Sequence, residues 1–342
     1  MRRIGILTGG GDCPGLNAVI RGVVQKCSMH EIEVFGFKKG WMGALTGEGE
    51  TLSYEEVEDI HTLGGTILGS SRTNIMKVEN GPEKVKETMK RLDLEGIVAV
   101  GGDDTLGVAN KLQKMGMNMI GVPKTIDNDL SSTDYTFGFD TASNIVAEAI
   151  DRLHTTAKSH SRCIVVEVMG RHTGWIAINA GMASGAHEIL IPEFPKTIDE
   201  VVGVIEDRRR RGKDYSIVCV AEGFELEGMD INSMEKDAFG NKRLEKKEIG
   251  HTLAKLIEEK TGMETRAVVL GHLQRGGSPS AFDRVLGTKM GVKAAELVVE
   301  NRYGNMVALQ GTNIVPVDLE KAVTVQKKVD EEFYRFASYF FR

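Results

Sequence analysis

The densest set of reactive side chains lies in residues 123–129, which read Pro-Lys-Thr-Ile-Asp-Asn-Asp after a short apolar segment. Asp127 and Asp129 are two positions apart, so an extended backbone would project their carboxylates to the same side. One carboxylate could then accept a proton while the other orients the reaction partner or a metal ion. The ammonium group of Lys124 suits an anionic substrate. Taken alone, an Asp-Asn-Asp triplet is more often a solvated turn, so the neighbouring motifs decide the interpretation.

Two glycine-rich loops favour the chemical interpretation. Residues 8–17 read Thr-Gly-Gly-Gly-Asp-Cys-Pro-Gly-Leu-Asn, and residues 101–105 read Gly-Gly-Asp-Asp-Thr, each after an apolar run. Glycines let the backbone approach a ligand closely, and the N-terminus of a following helix offers N–H groups to an anion. Asp103 supplies the hard oxygen ligand that phosphate-bound Mg²⁺ prefers. The alternatives are a tight turn without a ligand for the first loop and a helix cap for Asp103 or Asp104.

Three further polar clusters follow apolar runs and fit an anionic sugar. They are Met-Gly-Arg-His-Thr-Gly at 169–174, Glu-Gly at 222–223, and Gly-His-Leu-Gln-Arg-Gly-Gly-Ser-Pro at 271–279, with Arg266 shortly before the last. Arginine and histidine at strand ends can bind a sugar phosphate through charge-assisted hydrogen bonds. Any one of these arginines, considered alone, is more often a surface ion-pair residue.

The elements that must position these groups are short buried strands that alternate with amphipathic helices. Helical spacing of apolar residues is clear in 80–92 and 142–158. This alternation predicts an α/β fold with two Rossmann-like, doubly wound lobes and mainly parallel sheets. The polar stretch 225–248 is predicted to be an insertion or a mobile surface loop. The apolar runs predicted as strands span residues 4–7, 33–37, 96–100, 119–122, 163–168, 216–221 and 267–270.

Composition excludes several functional classes. The 342 residues carry a net charge of -6, which argues against nucleic-acid binding, and the basic run 208–211 is predicted to be a solvated helix end. No apolar stretch is long enough to span a membrane, and the N-terminus lacks a signal-peptide core, so a cytoplasmic location is expected. The four cysteines show no metal-binding spacing, and Cys163 and Cys219 are predicted to be buried.

In its motifs the chain resembles the phosphofructokinase family. The matches run in order over about residues 4–290: GGGDCPGLN, GGTILGSSR, GGDDT, PKTIDND, FGFDTA, MGRHTGW and GHLQRGGSP. The resemblance implies phosphoryl transfer to the 1-hydroxyl of fructose 6-phosphate, with Mg²⁺ as cofactor. It also implies a donor-binding lobe formed by residues 1–138 and about 265–318. The sugar-phosphate lobe would then comprise residues 139–264 and 319–342.

The same resemblance implies a role for each site residue. Asp127 would accept the proton of the sugar hydroxyl, and Arg171 would stabilise the transition-state charge. Thr125 and Asp129 would position the acceptor and the phosphoryl group, and Lys124 would neutralise a terminal phosphate. Donor-binding residues would be Gly11, Arg72, Gly102, Asp104 and Thr105, and Asp103 would hold Mg²⁺. Sugar-phosphate-binding residues would be Arg162, Met169, Gly170, Glu222, Arg266, His272 and Arg275.

Two residues bear on the identity of the donor. ATP-using relatives typically carry glycine where this chain has Asp104, and many also do so at Lys124. A carboxylate about 4 Å from the α-phosphate of ATP would cost about 4 kcal/mol at an effective dielectric near 20, roughly a thousandfold in affinity. Pyrophosphate has no α-phosphate, so Asp104 and Lys124 together favour a pyrophosphate-dependent enzyme. The family resemblance implies that this reaction is close to reversible. The alternative is an ATP-dependent 6-phosphofructokinase.

Assembly and regulation are also implied by the resemblance. Arg162 and Arg266 match arginines that the family lends across a subunit interface, which implies a homo-oligomer, a dimer or tetramer with shared active sites. At the family's effector site Arg21, Arg211 and Lys213 match, whereas Gln25, Tyr54 and His154 replace arginines and His187 replaces a metal-binding glutamate. We therefore predict a weak or absent allosteric response. Two rival functions are disfavoured. A nucleotide-binding dehydrogenase would need a GxGxxG loop, and none follows the first predicted strand. A non-catalytic sugar-phosphate sensor would be expected to lack Asp127 or Asp103, and both are present.

Overall fold

The computed structural model describes residues 2–226 and 248–341. The chain divides into two compact units, and each is built from segments that are distant in sequence. Unit 1 comprises Met1–Ile126, Leu130–Asp140 and Arg275–Gln326. Unit 2 comprises Asp127–Asp129, Thr141–Gln274 and Lys327–Arg342. The run 123–129, which carries the densest chemistry, is therefore divided between the units at Ile126.

Within the described residues, unit 1 contains a seven-stranded sheet with the strand order β11-β10-β5-β4-β1-β2-β3. The five inner strands are parallel, and both edge strands are antiparallel to their neighbours. Strands β1, β4 and β5 are buried almost throughout, as expected for parallel strands that helices cover on both faces. The strands are β1 Arg2–Thr8, β2 Ile32–Phe37, β3 Gly49–Leu52, β4 Ile97–Gly101, β5 Met119–Pro123, β10 Asn305–Gln310 and β11 Asn313–Asp318.

The helices of unit 1 include one pair whose backbones touch. A Cβ atom at Gly291 would lie 2.3 Å from the carbonyl oxygen of Val19, and one at Gly22 would lie 2.7 Å from that of Thr288. Glycine at these positions therefore lets α1 and α10 pack closely. The helices are α1 Leu16–Ser28, α2 Trp41–Thr46, α3 Tyr54–Val57, α4 Gly81–Arg91, α5 Asp103–Lys114, α10 Ala281–Val299 and α11 Leu319–Thr324.

The described part of unit 2 contains a four-stranded parallel sheet in the order β7-β8-β6-β9. Its strands are β6 Cys163–Val168, β7 Glu188–Leu190, β8 Ser216–Ala221 and β9 Thr265–Val269. Side chains from β6, β8, α8 and α9 form one continuous apolar core that includes Val165, Val218 and Ile257. The helices are α6 Phe139–Ser159, α7 Trp175–Ala183, α8 Ile198–Arg210, α9 Ile249–Thr261 and α12 Glu331–Ser338.

The predicted α/β class with mainly parallel sheets is confirmed, and several details differ. Strand β9 pairs with β6, so residues 265–274 belong to unit 2 and the chain returns to unit 1 at Arg275 instead of about residue 265. The prediction that residues 208–211 form a solvated helix end is wrong at one residue. Arg208 is buried, donates a hydrogen bond to the Tyr215 carbonyl at 3.2 Å and lies over its ring.

Three other expectations concern a polar segment, membrane spans and the cysteines. Residues 227–247 of the predicted polar insertion lie outside the described residues, so that prediction stands untested. Among the described residues, no helix combines the length and apolarity needed to cross a membrane. The predicted burial of Cys163 and Cys219 is confirmed, and both thiols are free.

Candidate functional site

The first glycine-rich loop of unit 1 is fixed by backbone hydrogen bonds. It begins where β1 ends, and the Gly9 N–H donates to the Val100 carbonyl at 2.9 Å. The Gly10 N–H donates to the Ser71 carbonyl at 3.2 Å, and the Gly10 carbonyl accepts a hydrogen bond from the Ser70 hydroxyl. The segment that reads Gly-Gly-Thr-Ile-Leu-Gly-Ser-Ser-Arg therefore contacts both polar groups of Gly10. Arg72, at the end of that segment, is exposed.

Thr105 explains why both glycine loops need glycine. A Cβ atom at Gly9 would lie 2.6 Å from the Thr105 hydroxyl oxygen, and one at Gly101 would lie 2.3 Å from the Thr105 Cβ. Thr105 is buried, and its carbonyl accepts a hydrogen bond from the Trp41 indole at 3.3 Å. The side chain of this predicted donor-binding residue therefore packs against both loops and sets their spacing.

Two cations approach the carbonyl groups of the first loop. Lys124 follows β5 and is only 4 % exposed, and its ammonium group donates to the Gly11 carbonyl at 2.6 Å. Arg275 donates to the Asp12 carbonyl at 3.1 Å. A Cβ atom at Gly11 would lie 2.7 Å from the Arg275 guanidinium, so a larger residue here would displace that side chain. These contacts place positive charge at the loop that is predicted to bind an anion.

The second glycine loop leads into α5. Gly102 is the N-cap residue, and Asp103 and Asp104 occupy the first turn, where carboxylates interact favourably with the helix dipole. Neither aspartate is thus the N-cap residue, so the capping alternative for these side chains is wrong. Both residues are half-buried.

The carboxylates at the start of α5 suit a Mg²⁺ ion that is bound partly by water and substrate better than a metal ion enclosed by protein side chains. Among the described residues, no group of three or more His, Cys, Asp or Glu side chains is placed to hold a metal ion. Mg²⁺ is commonly bound by one or two carboxylates together with water and substrate phosphates. The half-buried Asp103 carboxylate next to a glycine loop suits that mode of binding.

The segment Asp127–Asp129 of unit 2 is buried and sharply bent. Asp127, Asn128 and Asp129 are 7 %, 2 % and 6 % exposed. The expectation of an extended backbone is wrong, because Asn128 has a φ of 52°, in the left-handed region that asparagine tolerates. The Asp129 carbonyl accepts a hydrogen bond from the Lys327 N–H at 2.8 Å. In unit 1, the Thr125 carbonyl accepts one from the Thr136 hydroxyl at 2.7 Å.

The turn that carries Arg171 is held by the Glu222-Gly223 pair. Arg171 adopts a φ of 55°, which is uncommon for a non-glycine residue, and its N–H donates to the Glu222 carboxylate at 3.0 Å. A Cβ atom at Gly223 would lie 2.0 Å from the Arg171 carbonyl oxygen. Two residues after β8 therefore fix the backbone conformation of Arg171.

Gln274 joins two of the predicted sugar-binding segments, although it was not selected as a site residue from the sequence. It is fully buried, its side-chain oxygen accepts a hydrogen bond from the Met169 N–H at 3.2 Å, and its amide donates to the Gly271 carbonyl at 3.0 Å. Gly170 follows Met169, and the exposed His272 follows Gly271. The only available signal was its position inside a matched motif.

Arg162 and Arg266 converge on a single carboxylate. Arg162 pairs with Glu264 at 3.0 Å, and Arg266 pairs with the other oxygen of the same carboxylate. Strand β9, which carries Arg266, is an edge strand of the described sheet of unit 2. The two predicted interface arginines therefore lie together at one sheet edge.

The residues at the predicted effector positions have partners within their own units. The His187 Nδ1 accepts a hydrogen bond from the Ile217 N–H at 2.9 Å, and the His154 Nε2 lies 2.7 Å from the Ser184 carbonyl. Burial, and then the nearby positive charge of Arg208 and the His154 ring, lower the pKa of His187 to about 3. His187 is therefore a neutral imidazole near neutral pH. In unit 1, Arg21 donates to the Glu58 carbonyl at 2.9 Å.

Comparison with known proteins places these loops in a family. The sequence model described as "Phosphofructokinase" matches residues 3–298. Over 343 aligned residues, which cover 99% of both chains, the chain is 54% identical to a pyrophosphate–fructose 6-phosphate 1-phosphotransferase of Amycolatopsis mediterranei. It is 48% identical to ATP-dependent 6-phosphofructokinase 3 of Streptomyces coelicolor, over 97% of this chain and 98% of the relative.

A solved structure agrees with the sequence comparisons. The structure of Pichia pastoris phosphofructokinase in the T-state superposes with a TM-score of 0.82 at 30% sequence identity. The alignment covers 99% of this chain and 36% of the yeast chain, so the present chain spans about a third of that relative's length.

Proposed function

The chain belongs to the phosphofructokinase family, and from that premise we propose that it transfers a phosphoryl group from pyrophosphate to the 1-hydroxyl of fructose 6-phosphate. The products are fructose 1,6-bisphosphate and orthophosphate. The reaction is close to reversible and serves glycolysis and gluconeogenesis. The relative that is 54% identical bears the name of this activity, which supports the proposal.

The observation that carries the choice of donor is the pair Asp104 and Lys124. Asp104 places a carboxylate in the first turn of α5, where the α-phosphate of a nucleotide would need space. Lys124 places a buried ammonium group 2.6 Å from the Gly11 carbonyl, at the loop expected to receive phosphate. A short, highly charged donor gains from the cation and has no third phosphate to meet the carboxylate. The residues Gly11, Arg72, Gly102 and Thr105 complete the proposed donor site.

In the proposed reaction, the 1-hydroxyl oxygen of the sugar attacks the terminal phosphorus of pyrophosphate. A new P–O bond forms, the bridging P–O bond breaks, and orthophosphate leaves with the electron pair of that bond. The hydroxyl proton passes to the Asp127 carboxylate, which is buried and therefore shielded from bulk water. In phosphoryl transfer the protein mainly positions the groups and neutralises charge.

Charge neutralisation is assigned to basic side chains. Arg171 stabilises the equatorial oxygens of the transferring group. Glu222 holds the strained backbone of Arg171 by accepting a hydrogen bond from its N–H. Thr125 and Asp129 position the acceptor and the phosphoryl group. The sugar phosphate is bound by Arg162, Met169, Gly170, Glu222, Arg266, His272 and Arg275.

Mg²⁺ is the proposed cofactor, and Asp103 is the residue that would hold it. The metal would supply positive charge that neutralises the pyrophosphate oxygens. The first-turn position of Asp103, beside Gly102, supports this assignment.

We also propose a homo-oligomer, a dimer or tetramer, and a cytoplasmic location. The shared ion pair of Arg162 and Arg266 with Glu264 at an edge strand supports an interface that includes both arginines. The four cysteines are free and buried, which suits a reducing compartment. Light scattering during gel filtration tests the assembly, and a monomer at micromolar concentration would refute it.

The activity is tested by ³¹P NMR of the purified protein with fructose 6-phosphate, Mg²⁺ and either pyrophosphate or ATP. We expect the pyrophosphate resonance to decrease while orthophosphate and a second sugar-phosphate resonance increase. Formation of ADP with pyrophosphate unused would refute the donor and retain the family reaction. No transfer from either donor would refute the proposed function.

A further inference from the structure

We infer that Thr173 is a positioning residue, whose hydroxyl group aligns the Asp127 segment with the Arg171 turn. Thr173 is fully buried, and its hydroxyl oxygen lies 3.3 Å from the Asp127 carbonyl and 3.2 Å from the Gly170 carbonyl. All of these residues belong to unit 2. The inference rests on the proposed function, because it assigns Thr173 an effect on the proposed base.

The turn itself leaves the hydroxyl group available for this task. The Thr173 N–H donates to the Gly170 carbonyl at 2.9 Å, which already closes the turn around Arg171. The side chain adds a second donor that reaches a segment 46 positions earlier in the chain. A hydroxyl has one proton, so its bond is shared between the two carbonyls or alternates between them. Either arrangement relates the backbone of Asp127 to that of Gly170.

Each of the two segments has a separate anchor elsewhere. The Arg171 N–H is bound by Glu222, and the Asp129 carbonyl is bound by the Lys327 N–H. Neither of these bonds connects the Asp127 segment to the Arg171 turn. The Thr173 hydroxyl does connect them, so its removal would take away a direct link between the segment of the proposed base and the turn of the proposed charge-stabilising arginine.

The complete burial of Thr173 indicates that its hydroxyl group has a specific role. At zero exposure, valine would fill the same volume without a polar group to satisfy. A buried hydroxyl with two backbone acceptors is a specific arrangement, and an error of about 1 Å in the relative position of reacting groups can reduce turnover about a hundredfold.

The test compares two substitutions at this position with a matched control. Thr173→Val removes the hydroxyl and keeps the shape, and Thr173→Ser keeps the hydroxyl and removes a methyl group. Ser184→Ala removes another buried hydroxyl of unit 2, which donates to the Ala180 carbonyl at 2.7 Å at the C-terminal end of α7. For each variant, kcat, KM for fructose 6-phosphate and the urea midpoint are measured with the donor that the wild-type protein uses.

We expect Thr173→Val to lower kcat about 10- to 100-fold while KM changes less than about threefold. Thr173→Ser should restore kcat to within about threefold of wild type, and Ser184→Ala should lower the urea midpoint without lowering kcat. A folded Thr173→Val protein with wild-type kcat would overturn the inference, and so would a serine variant as slow as the valine variant. If Thr173→Val does not fold, Thr173→Cys replaces it. Its weak S–H donor should then give an intermediate kcat, and wild-type kcat in that protein would overturn the inference.

The outcome for the inference is distinguishable from that for the proposed function. A wild-type protein that uses ATP refutes the pyrophosphate assignment but leaves the Thr173 comparison intact, because Thr173 acts on the acceptor side. A wild-type protein without transferase activity removes both.

Discussion

The proposed donor loops of unit 1 and the proposed acceptor loops of unit 2 are fixed by different kinds of contact. In unit 1 the glycine-rich loops are held by main-chain hydrogen bonds and by the close packing of Thr105. Side chains also bind carbonyl groups of the first loop, namely those of Ser70, Lys124 and Arg275. In unit 2 the loops are held by polar side chains, namely Glu222, Gln274 and Thr173, which bind backbone groups of the Arg171 turn and its neighbours. The glycine loops let a phosphate donor approach the backbone closely, whereas a sugar and a moving proton need side chains in defined positions.

This difference predicts different sensitivities at particular positions. The loops of unit 1 should fail when an atom is added at Gly9 or Gly101, because a Cβ there would collide with Thr105. The loops of unit 2 should fail when a polar atom is removed, because each buried polar contact is specific.

The largest effect is expected at the proposed base. Asp127→Asn keeps the size of the side chain and removes its ability to take a proton, so kcat should fall by about 10²- to 10⁴-fold. Affinity for fructose 6-phosphate should stay within a few fold in equilibrium dialysis. Asp134→Asn is the control, because this exposed aspartate binds the Gly311 N–H and lies outside the proposed site. Near-normal turnover in the Asp127 variant would exclude this residue as the base.

The next effect is expected from adding one methyl group to the first glycine loop. Gly9→Ala would place a Cβ 2.6 Å from the Thr105 hydroxyl oxygen, so we expect a loss of about 1–3 kcal/mol in unfolding free energy and a higher KM for the donor. The second substitution Thr105→Ala should recover much of the loss, because it removes the clashing atoms.

The control for this prediction is Gly107→Ala in the same helix as Thr105. A Cβ at Gly107 meets nothing within 4 Å, so the change should stabilise the protein by about 0.5–1 kcal/mol through helix propensity. Urea unfolding measures both variants. Equal tolerance at positions 9 and 107 would contradict the packing account of unit 1.

Removing a buried polar side chain from unit 2 should lower stability about as much as Gly9→Ala does, and it should also weaken sugar binding. Gln274→Met keeps the length of the side chain and removes both hydrogen bonds, at a cost of about 1–3 kcal/mol. KM for fructose 6-phosphate should rise several fold, because Met169 and Gly170 lose their support. In unit 1, Gln113→Met removes a bond of the same type, to the Met119 N–H at 2.8 Å, and should leave this KM unchanged. Equal KM values in the two variants would remove Gln274 from the site.

Acid should weaken unit 2 through His187. Its pKa of about 3 lies below the unfolded value near 6.5, so the unfolded chain binds a proton in this window and the folded chain does not. Stability should therefore fall as the pH falls below about 6.5, by at most about 1.4 kcal/mol per pH unit. His187→Gln should reduce this slope.

The two tryptophans allow this effect to be followed in one unit. Trp41 lies in unit 1 and Trp175 in unit 2, so the Trp41→Phe protein reports on unit 2 alone. Urea unfolding is followed by fluorescence at pH 7, 6 and 5, with and without the His187 substitution. Identical slopes in the two proteins would show that the buried imidazole does not control the acid sensitivity.

The parts predictable from sequence were those with strong local patterns. The buried strands β1, β4, β5, β6 and β8 read as continuous apolar runs, and their alternation with helices predicted the fold class. By contrast, β3 is a short edge strand, Gly-Glu-Thr-Leu, without an apolar run. The left-handed backbone at Asn128 was missed because asparagine adopts both conformations and only tertiary contacts select one.

The supporting residues of the site were less predictable than its reactive residues. Asp127, Arg171 and Lys124 were selected because they lie in polar motifs that follow apolar runs and that match the phosphofructokinase family in order. Thr105, Thr173 and Gln274 were not recognised as supports, because their roles depend on contacts between segments far apart in sequence. The predicted roles of the reactive residues stay predictions until they are measured.

The most direct test of the donor assignment is the ratio of kcat/KM for pyrophosphate to that for ATP, in the wild-type protein and in Asp104→Gly. Glu83→Gly is the control, because it removes an exposed first-turn carboxylate from α4. We predict a ratio far above one for the wild-type and Glu83 proteins, and a ratio lowered by about tenfold or more in the Asp104 variant as ATP is admitted. A wild-type preference for ATP, or an unchanged ratio in Asp104→Gly, would contradict the assignment of Asp104 as the group that excludes the nucleotide.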